Sequence, residues 1–145
     1  MKRAMRCAVL CCLCAACTLY TGRQVPYTVS KPKCVIGGNE DYYQIAGIVF
    51  TLYNTSGKAM ERVEVRCMVF DEKTKRNPFI GSNVIQAEFN EVIESGEKKE
   101  LIIPLDRYMY LIPEKPYLID HFFIREVRFS DGSVWEDKIG AYKIS

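Results

Sequence analysis

From about Cys34 onward the chain alternates apolar and polar residues with a period of two, run after run, with short turn-forming stretches between. Strands with one buried and one wet face demand this pattern, because successive strand side chains point to opposite faces. In IAGIVFTLYN, Ile48, Phe50 and Leu52 share one face. In MERVEVRCMVFD, Val63, Val65, Cys67 and Val69 share one face, and Glu64 and Arg66 take the other. Between these runs, Asn54 to Lys58 supplies turn chemistry: Asn and Ser cap backbone groups, and Gly57 is free to take a positive φ. NVIQAEFNEVI alternates through Ile85, Ala87 and Phe89, and ELIIPL through Leu101, Ile103 and Leu105. Pro104 cannot donate to a ladder, so that strand lies at an edge or ends there.

IDHFFIREVRF changes phase, with Phe122 and Ile124 on one parity and Val127 and Phe129 on the other. A β-bulge near Arg125 reconciles the two. Asp131-Gly132 then predicts a type I′ hairpin joining EVRFS to SVWEDK. The expected fold is all-β: an antiparallel sandwich of immunoglobulin or fibronectin-III type with about seven strands, occupying residues 33–145. The longest irregular segment is 105–120, where Pro113 and Pro116 bar a helix.

The first seventeen residues follow a different rule. Lys2, Arg3 and Arg6 form a basic start without acids, and Ala8 to Ala16 is an apolar stretch too short to span a bilayer. Five of the seven cysteines fall here, with cysteine serving as a small hydrophobe. The spacing of Cys11, Cys14 and Cys17 matches an iron–sulfur run, but the residues between them are apolar and no proline follows. A signal peptide over 1–16 accounts for every residue, with Ala15 and Ala16 before the cut. LCAAC resembles a bacterial lipobox, with Cys17 as the lipidated first residue of the mature chain; Cys14 stands where that motif carries an aliphatic residue. The expected location is the cell envelope, membrane-anchored by an N-terminal lipid, with a soluble secreted or periplasmic form as the alternative. Residues 17–32, carrying Pro26 and Pro32, are expected to be a tether.

With the three basic residues of that segment set aside, seventeen bases face eighteen acids. Such a balance argues against a nucleic-acid surface. Cys34 and Cys67 remain in the body. In an oxidising compartment they are a candidate disulfide, which would contribute on the order of 3 kcal/mol; the alternative is that Cys67 is a small core residue in phase with its valines.

Two stretches resemble small immunoglobulin-like (FxLYD-like) domains of bacterial envelope lipoproteins: FTLYNTSGKAMERVEVRCMVFD through residues 50–54 and 69–71, and VRFSDGSVWED as the closing hairpin. The resemblance spans Ile45 to Tyr142. It implies a fold and an extracytoplasmic role, not an activity.

No catalytic motif is present. His121 is the sole histidine, no G-x-S-x-G elbow occurs, and a Cys67–His121 pair requires a thiol in mid-strand. No cofactor and no metal site are expected, and a small hydrolase or metal carrier around His121 and Cys67 is the weakest reading. Asn54-Thr55-Ser56 matches a glycosylation sequon by composition alone. The aromatic residues are more suggestive: Tyr108, Tyr110 and Tyr117 fall in the long 105–120 segment, where tyrosine suits contact with an envelope protein or glycan, or plugs one end of the sandwich. Trp135 is expected to pack. The expected function is therefore non-catalytic binding or structural support. An assembly subunit or chaperone acting by strand addition near Pro104 is the alternative.

Overall fold

Each alternating run becomes a strand, and the strands form two antiparallel sheets in a computed structural model that describes residues 24–39 and 41–144. The strands are β1 (Tyr27–Val29), β2 (Lys33–Ile36), β3 (Ala46–Asn54), β4 (Met60–Phe70), β5 (Val84–Phe89), β6 (Lys98–Pro104), β7 (Leu118–Phe129) and β8 (Val134–Glu136). A single 3-10 turn, Asp106–Tyr108, follows β6.

In the first sheet β3 is central. β6 pairs along one side of it, from Gly47↔Pro104 to Tyr53↔Lys98. β1 and β2 share the other side in tandem, β1 opposite residues 52–54 of β3 and β2 opposite residues 46–49. The sheet is thus three strands wide except at Phe50 and Thr51, where the break between β1 and β2 falls. The second sheet has the order β5-β4-β7-β8. Consecutive β3 and β4 lie in different sheets, and the molecule is an all-β sandwich of the expected kind.

The apolar faces meet in the middle. Ile48, Leu52, Val63, Val65, Cys67, Val69, Ile85, Phe122, Ile124 and Val127 have no exposed surface. Phe50 anchors the centre, its ring edge-on to Phe122 at 4.8 Å and to Phe89 at 5.9 Å. Edge-to-face pairs of this kind add about 0.5–1.5 kcal/mol beyond area burial.

The bulge expected near Arg125 is present: Glu64 pairs with Glu126 and Val65 with Ile124, leaving Arg125 as the extra residue. A second extra residue falls between Phe123 and Asp120, where His121 takes φ +48°, and a third at Glu61 on β4. Pro104 ends β6, which pairs only with β3, so that strand is an edge.

Three expectations are corrected. Residues 27–29, assigned to the tether, form β1, with Tyr27 buried and its ring edge-on to Trp135 at 5.3 Å. The Asp131-Gly132 turn is not type I′, which needs positive φ at both central residues. Only Gly132 has it, at +80°, and Gly132 N–H donates to the Phe129 carbonyl at 2.9 Å: a three-residue loop closed by a glycine bulge. Gly57 does not use its freedom either; the left-handed glycines are Gly37, Gly96, Gly132 and Gly140.

Candidate functional site

The turns 54–59, 90–97 and 130–133 and the start of β1 gather at one end of the sandwich. At the opposite end two long connections meet: β4–β5, residues 71–83, and β6–β7, residues 105–117. Phe79 joins them. Its ring packs between Tyr108 at 5.6 Å and Tyr117 at 5.7 Å, the latter edge-on. The Arg107 guanidinium covers the outer face of Tyr108 at 4.8 Å and donates to its hydroxyl at 2.6 Å.

Each loop is braced by its own polar residues. Asn77 accepts from the Phe79 N–H at 2.8 Å and donates to the Gly81 carbonyl at 2.6 Å, fixing the tip NPFIG. The Asp71 carboxylate accepts from the Lys73 and Thr74 amides, at 3.1 and 2.7 Å, and its carboxyl is held below the usual range chiefly by the Thr74 amide and hydroxyl. Asp106 accepts from the Gln44, Ile45 and Ala46 amides at 2.6, 2.9 and 3.3 Å, clamping the approach to β3. Desolvation pushes the Asp106 carboxyl up, but the three amides together outweigh it and hold the group below its ordinary value.

So braced, the loops display apolar side chains that nothing covers. Ile80 is 87% exposed, Tyr110 81%, Leu111 82% and Ile112 68%. Beside them a cleft of about 720 Å³ runs between the loops, lined by Asp71, Asn77, Pro78, Pro113 and Tyr117 and bridged by Lys115–Glu72 at 3.5 Å. Isolated exposed apolar residues are ordinary, but here four large ones stand on the two loops that Phe79 joins, and concentrations of exposed apolar surface mark contact sites.

Of the three tyrosines expected to bind a partner, only Tyr110 is fully displayed; Tyr108 and Tyr117 are half-buried supports for Phe79. Sequence reasoning passed over Ile80, Leu111 and Ile112. The signal was present, since both NPFIG and YLIP set apolar residues between turn-formers, where no strand can bury them.

Cys34 and Cys67 are both free, buried thiols, on strands of different sheets. Burial pushes the Cys67 thiol up to about 12, which removes its nucleophilic form at neutral pH. Cys34 lies beneath the 105–117 loop: burial raises its thiol and the Tyr117 amide partly offsets this. His121 is half-exposed and pairs through Nδ1 with Asp120 at 3.1 Å. It shares a shallow groove with Cys67, but the thiol itself is inaccessible. Among the described residues no group of three His, Cys, Asp or Glu side chains could hold a metal ion.

Asn54 is wholly buried. It donates to the Lys58 and Ile93 carbonyls at 2.8 and 2.9 Å and accepts from the Ser56 amide and hydroxyl at 3.0 and 2.6 Å. The folded domain therefore offers no glycan acceptor there. Cys17 and the 1–16 segment lie outside the described residues. No family model, curated protein or solved structure matches the chain.

Proposed function

We propose that this is an exported protein of the cell envelope, lipid-anchored through Cys17, whose immunoglobulin-like domain works by non-catalytic binding through its 71–83 and 105–117 loops. The observation that carries the reading is the exposure of Ile80, Tyr110, Leu111 and Ile112 on two loops that Phe79 joins through Tyr108 and Tyr117. Loops joined by packing and hydrogen bonds lose less freedom on binding, so exposed apolar area on them is usable contact area. The placement fits a tether. β1 starts at the end of the sandwich opposite these loops, and β7 alone spans 12 residues, on the order of 40 Å. An N-terminal anchor would thus hold the apolar tips away from its own membrane, toward an envelope protein or glycan. Among the described residues no helix is long and apolar enough to cross a membrane.

Two measurements test the two halves. Intact mass of the membrane fraction, with and without Cys17→Ser, is expected to give a mature chain starting at Cys17 with added acyl mass; an unmodified full-length chain in the cytosol overturns the export reading. Photo-crosslinking in cells from position 111 is expected to trap a discrete partner that Tyr110→Ala and Ile80→Ser abolish without changing the melting temperature. Identical adducts from a probe at exposed Glu61, on β4, overturn the loop reading.

A further inference from the structure

The outer face of the second sheet has two unlike halves. Toward the 54–59 turn it is closed by charge pairs: Arg62 meets Glu88 and Arg125 meets Glu64, each at 2.5 Å. Toward the 71–83 loop it is apolar and open. There Met68 of β4 pairs with Val84 of β5, and Arg66 of β4 with Phe123 of β7, so all four share the side away from the core. A groove of about 360 Å³ runs over them, with half-buried Met68 and Val84 in its floor.

A bulge and a strap build the far wall. A regular strand gives each face one residue in two, but the extra residue of β7 brings His121 into this groove as well as Phe123. His121 is held at φ +48°, which side chains seldom adopt, and bulges of this kind re-aim a side chain. The strap is the chain after β8. The Asp137 amide donates to the Arg125 carbonyl at 2.9 Å and the Ile144 amide to the Phe122 carbonyl at 2.7 Å, pinning both ends to β7. Between them the buried Asp137 carboxylate accepts from the Ala141 and Tyr142 amides, at 2.9 and 3.0 Å. Gly140 seats on Phe123, where an added Cβ would come within 3.0 Å of the ring. The turn so fixed carries Lys138 and Ile139 to the rim, and nothing covers Ile139, which is 88% exposed.

The charge at the groove has one sign. Arg66, His121 and Lys138 line it, and among the described residues no acidic side chain does. His121 is engaged by Asp120 at 3.1 Å and Lys138 by Glu136 at 3.3 Å. Arg62, Arg125 and Arg128 of the same face each meet a glutamate, whereas exposed Arg66 has no acidic partner among the described residues. We propose that this groove binds a small anionic amphiphile, its carboxylate or phosphate head on Arg66 beside Lys138 and its apolar tail over Met68 and Val84 and against Ile139. An arginine presents a planar fork of donors that matches either head group. A bare inorganic anion would leave the apolar floor uncovered, and a mostly apolar groove with a few placed polar groups is the ordinary form of a small-ligand site. The groove crosses three strands, so the tail it fits is roughly 10 Å long. This surface lies on the side of the sandwich and is independent of the exposed loops.

The test titrates octanoate and octyl phosphate into the Cys17→Ser full-length chain and follows backbone amides by NMR, with acetate, inorganic phosphate and octyltrimethylammonium as controls. The octyl anions should shift the Met68, Phe123 and Ile139 amides saturably, the tighter of the two naming the head group, and the controls should not saturate in the same range. Arg66→Gln should weaken binding about tenfold or more, as expected for loss of a charge-assisted pair, and Ile139→Ser severalfold. Both residues are exposed, so the melting temperature should hold in each variant, and Leu111→Ser should leave binding intact. Saturation by acetate or phosphate alone, equal binding of the octyl cation, shifts at residues 80 and 110–112 instead, or full affinity in Arg66→Gln overturns the proposal. So does a peptide of alternating Glu and Leu that saturates the same amides at lower concentration than either octyl anion, because the occupant is then an acidic protein segment.

Discussion

Asn54 shows how one side chain can hold one end of a sandwich. It ends β3, and its four hydrogen bonds tie the 54–58 turn to the carbonyl of Ile93 in the next turn. Its backbone accepts from Gly96 and donates to Glu97, each at 2.9 Å. Asn54→Ala would remove all four side-chain bonds and leave the Ser56 amide without its acceptor, while the Lys58 carbonyl keeps the Ser56 hydroxyl and the Ile93 carbonyl keeps the Met60 amide. A hydrogen bond of this kind contributes about 0.5–1.5 kcal/mol, so losing four gives an expected loss of roughly 2–4 kcal/mol in urea unfolding, with the slope of the transition unchanged. Asp106 makes a pH-dependent counterpart at the other end. Its folded carboxyl titrates below its unfolded value, so its contribution is present above the unfolded pKa, about 4, and is lost as pH falls through the folded one. Asp106→Asn should therefore lower the melting temperature at neutral pH, with the gap to the parent chain closing as pH drops below about 4. A gap that stays constant down to acid pH would show that the amide contacts do not depend on the charge.

Turns show where an element's sequence signal is ambiguous. Asn-Thr-Ser-Gly-Lys and Ser-Asp-Gly-Ser both read as glycine turns, but only Gly132 takes a left-handed φ; at Gly57 the Asn54 and Ser56 side chains supply the closure instead. The contrast is measurable. An added Cβ meets nothing within 4 Å at either glycine, so any difference is conformational. Gly132→Ala should cost about 1 kcal/mol, whereas Gly57→Ala should change stability by less than about 0.5 kcal/mol; equal effects in a denaturant titration would place the strain elsewhere. The bulge at Arg125 was legible for a different reason. A half-buried strand cannot change which parity is apolar without an extra residue, and the phase change from Ile124 to Val127 is written in the side chains. What could not be read was its consequence on the outer face. There Arg125 and Gln86 donate to the Glu64 carboxylate at 2.5 and 2.6 Å, and these groups bury Glu64 to 4% exposure on a face whose parity marks it as solvated. Parity assigns a face to a side chain; it does not say which neighbours cover it.

At the scale of the whole molecule, the sandwich and its core faces followed from period-two alternation, because burial on one face is the only economical origin of that pattern. The site followed in part. Tyr110 could be picked out because it stands in a long loop, while the partnership of Tyr108 and Tyr117 with Phe79 depends on two connections meeting that are distant in sequence. The boundary of the domain was hidden for a similar reason. Residues 24–32 are too short and too interrupted by Pro26 and Pro32 to show a period, yet β1 completes the sheet, and Ser30 bridges the break by accepting from the Thr51 amide at 2.8 Å. Tyr27 is the residue that makes β1 part of the core. Its ring is 6% exposed, stands edge-on to the single tryptophan, Trp135, and closes the far side of the sandwich where β8 is only three residues long. Removing it should open a cavity against that indole. Tyr27→Ala is expected to lose about 3–5 kcal/mol, the range for large aromatic deletions, and to shift Trp135 emission to the red with more quenching by iodide. Tyr27→Phe, which keeps the ring contact, should leave emission unchanged. If Tyr27→Ala instead melts like the parent chain with the same emission, residues 27–29 are a tether after all and the domain begins at β2.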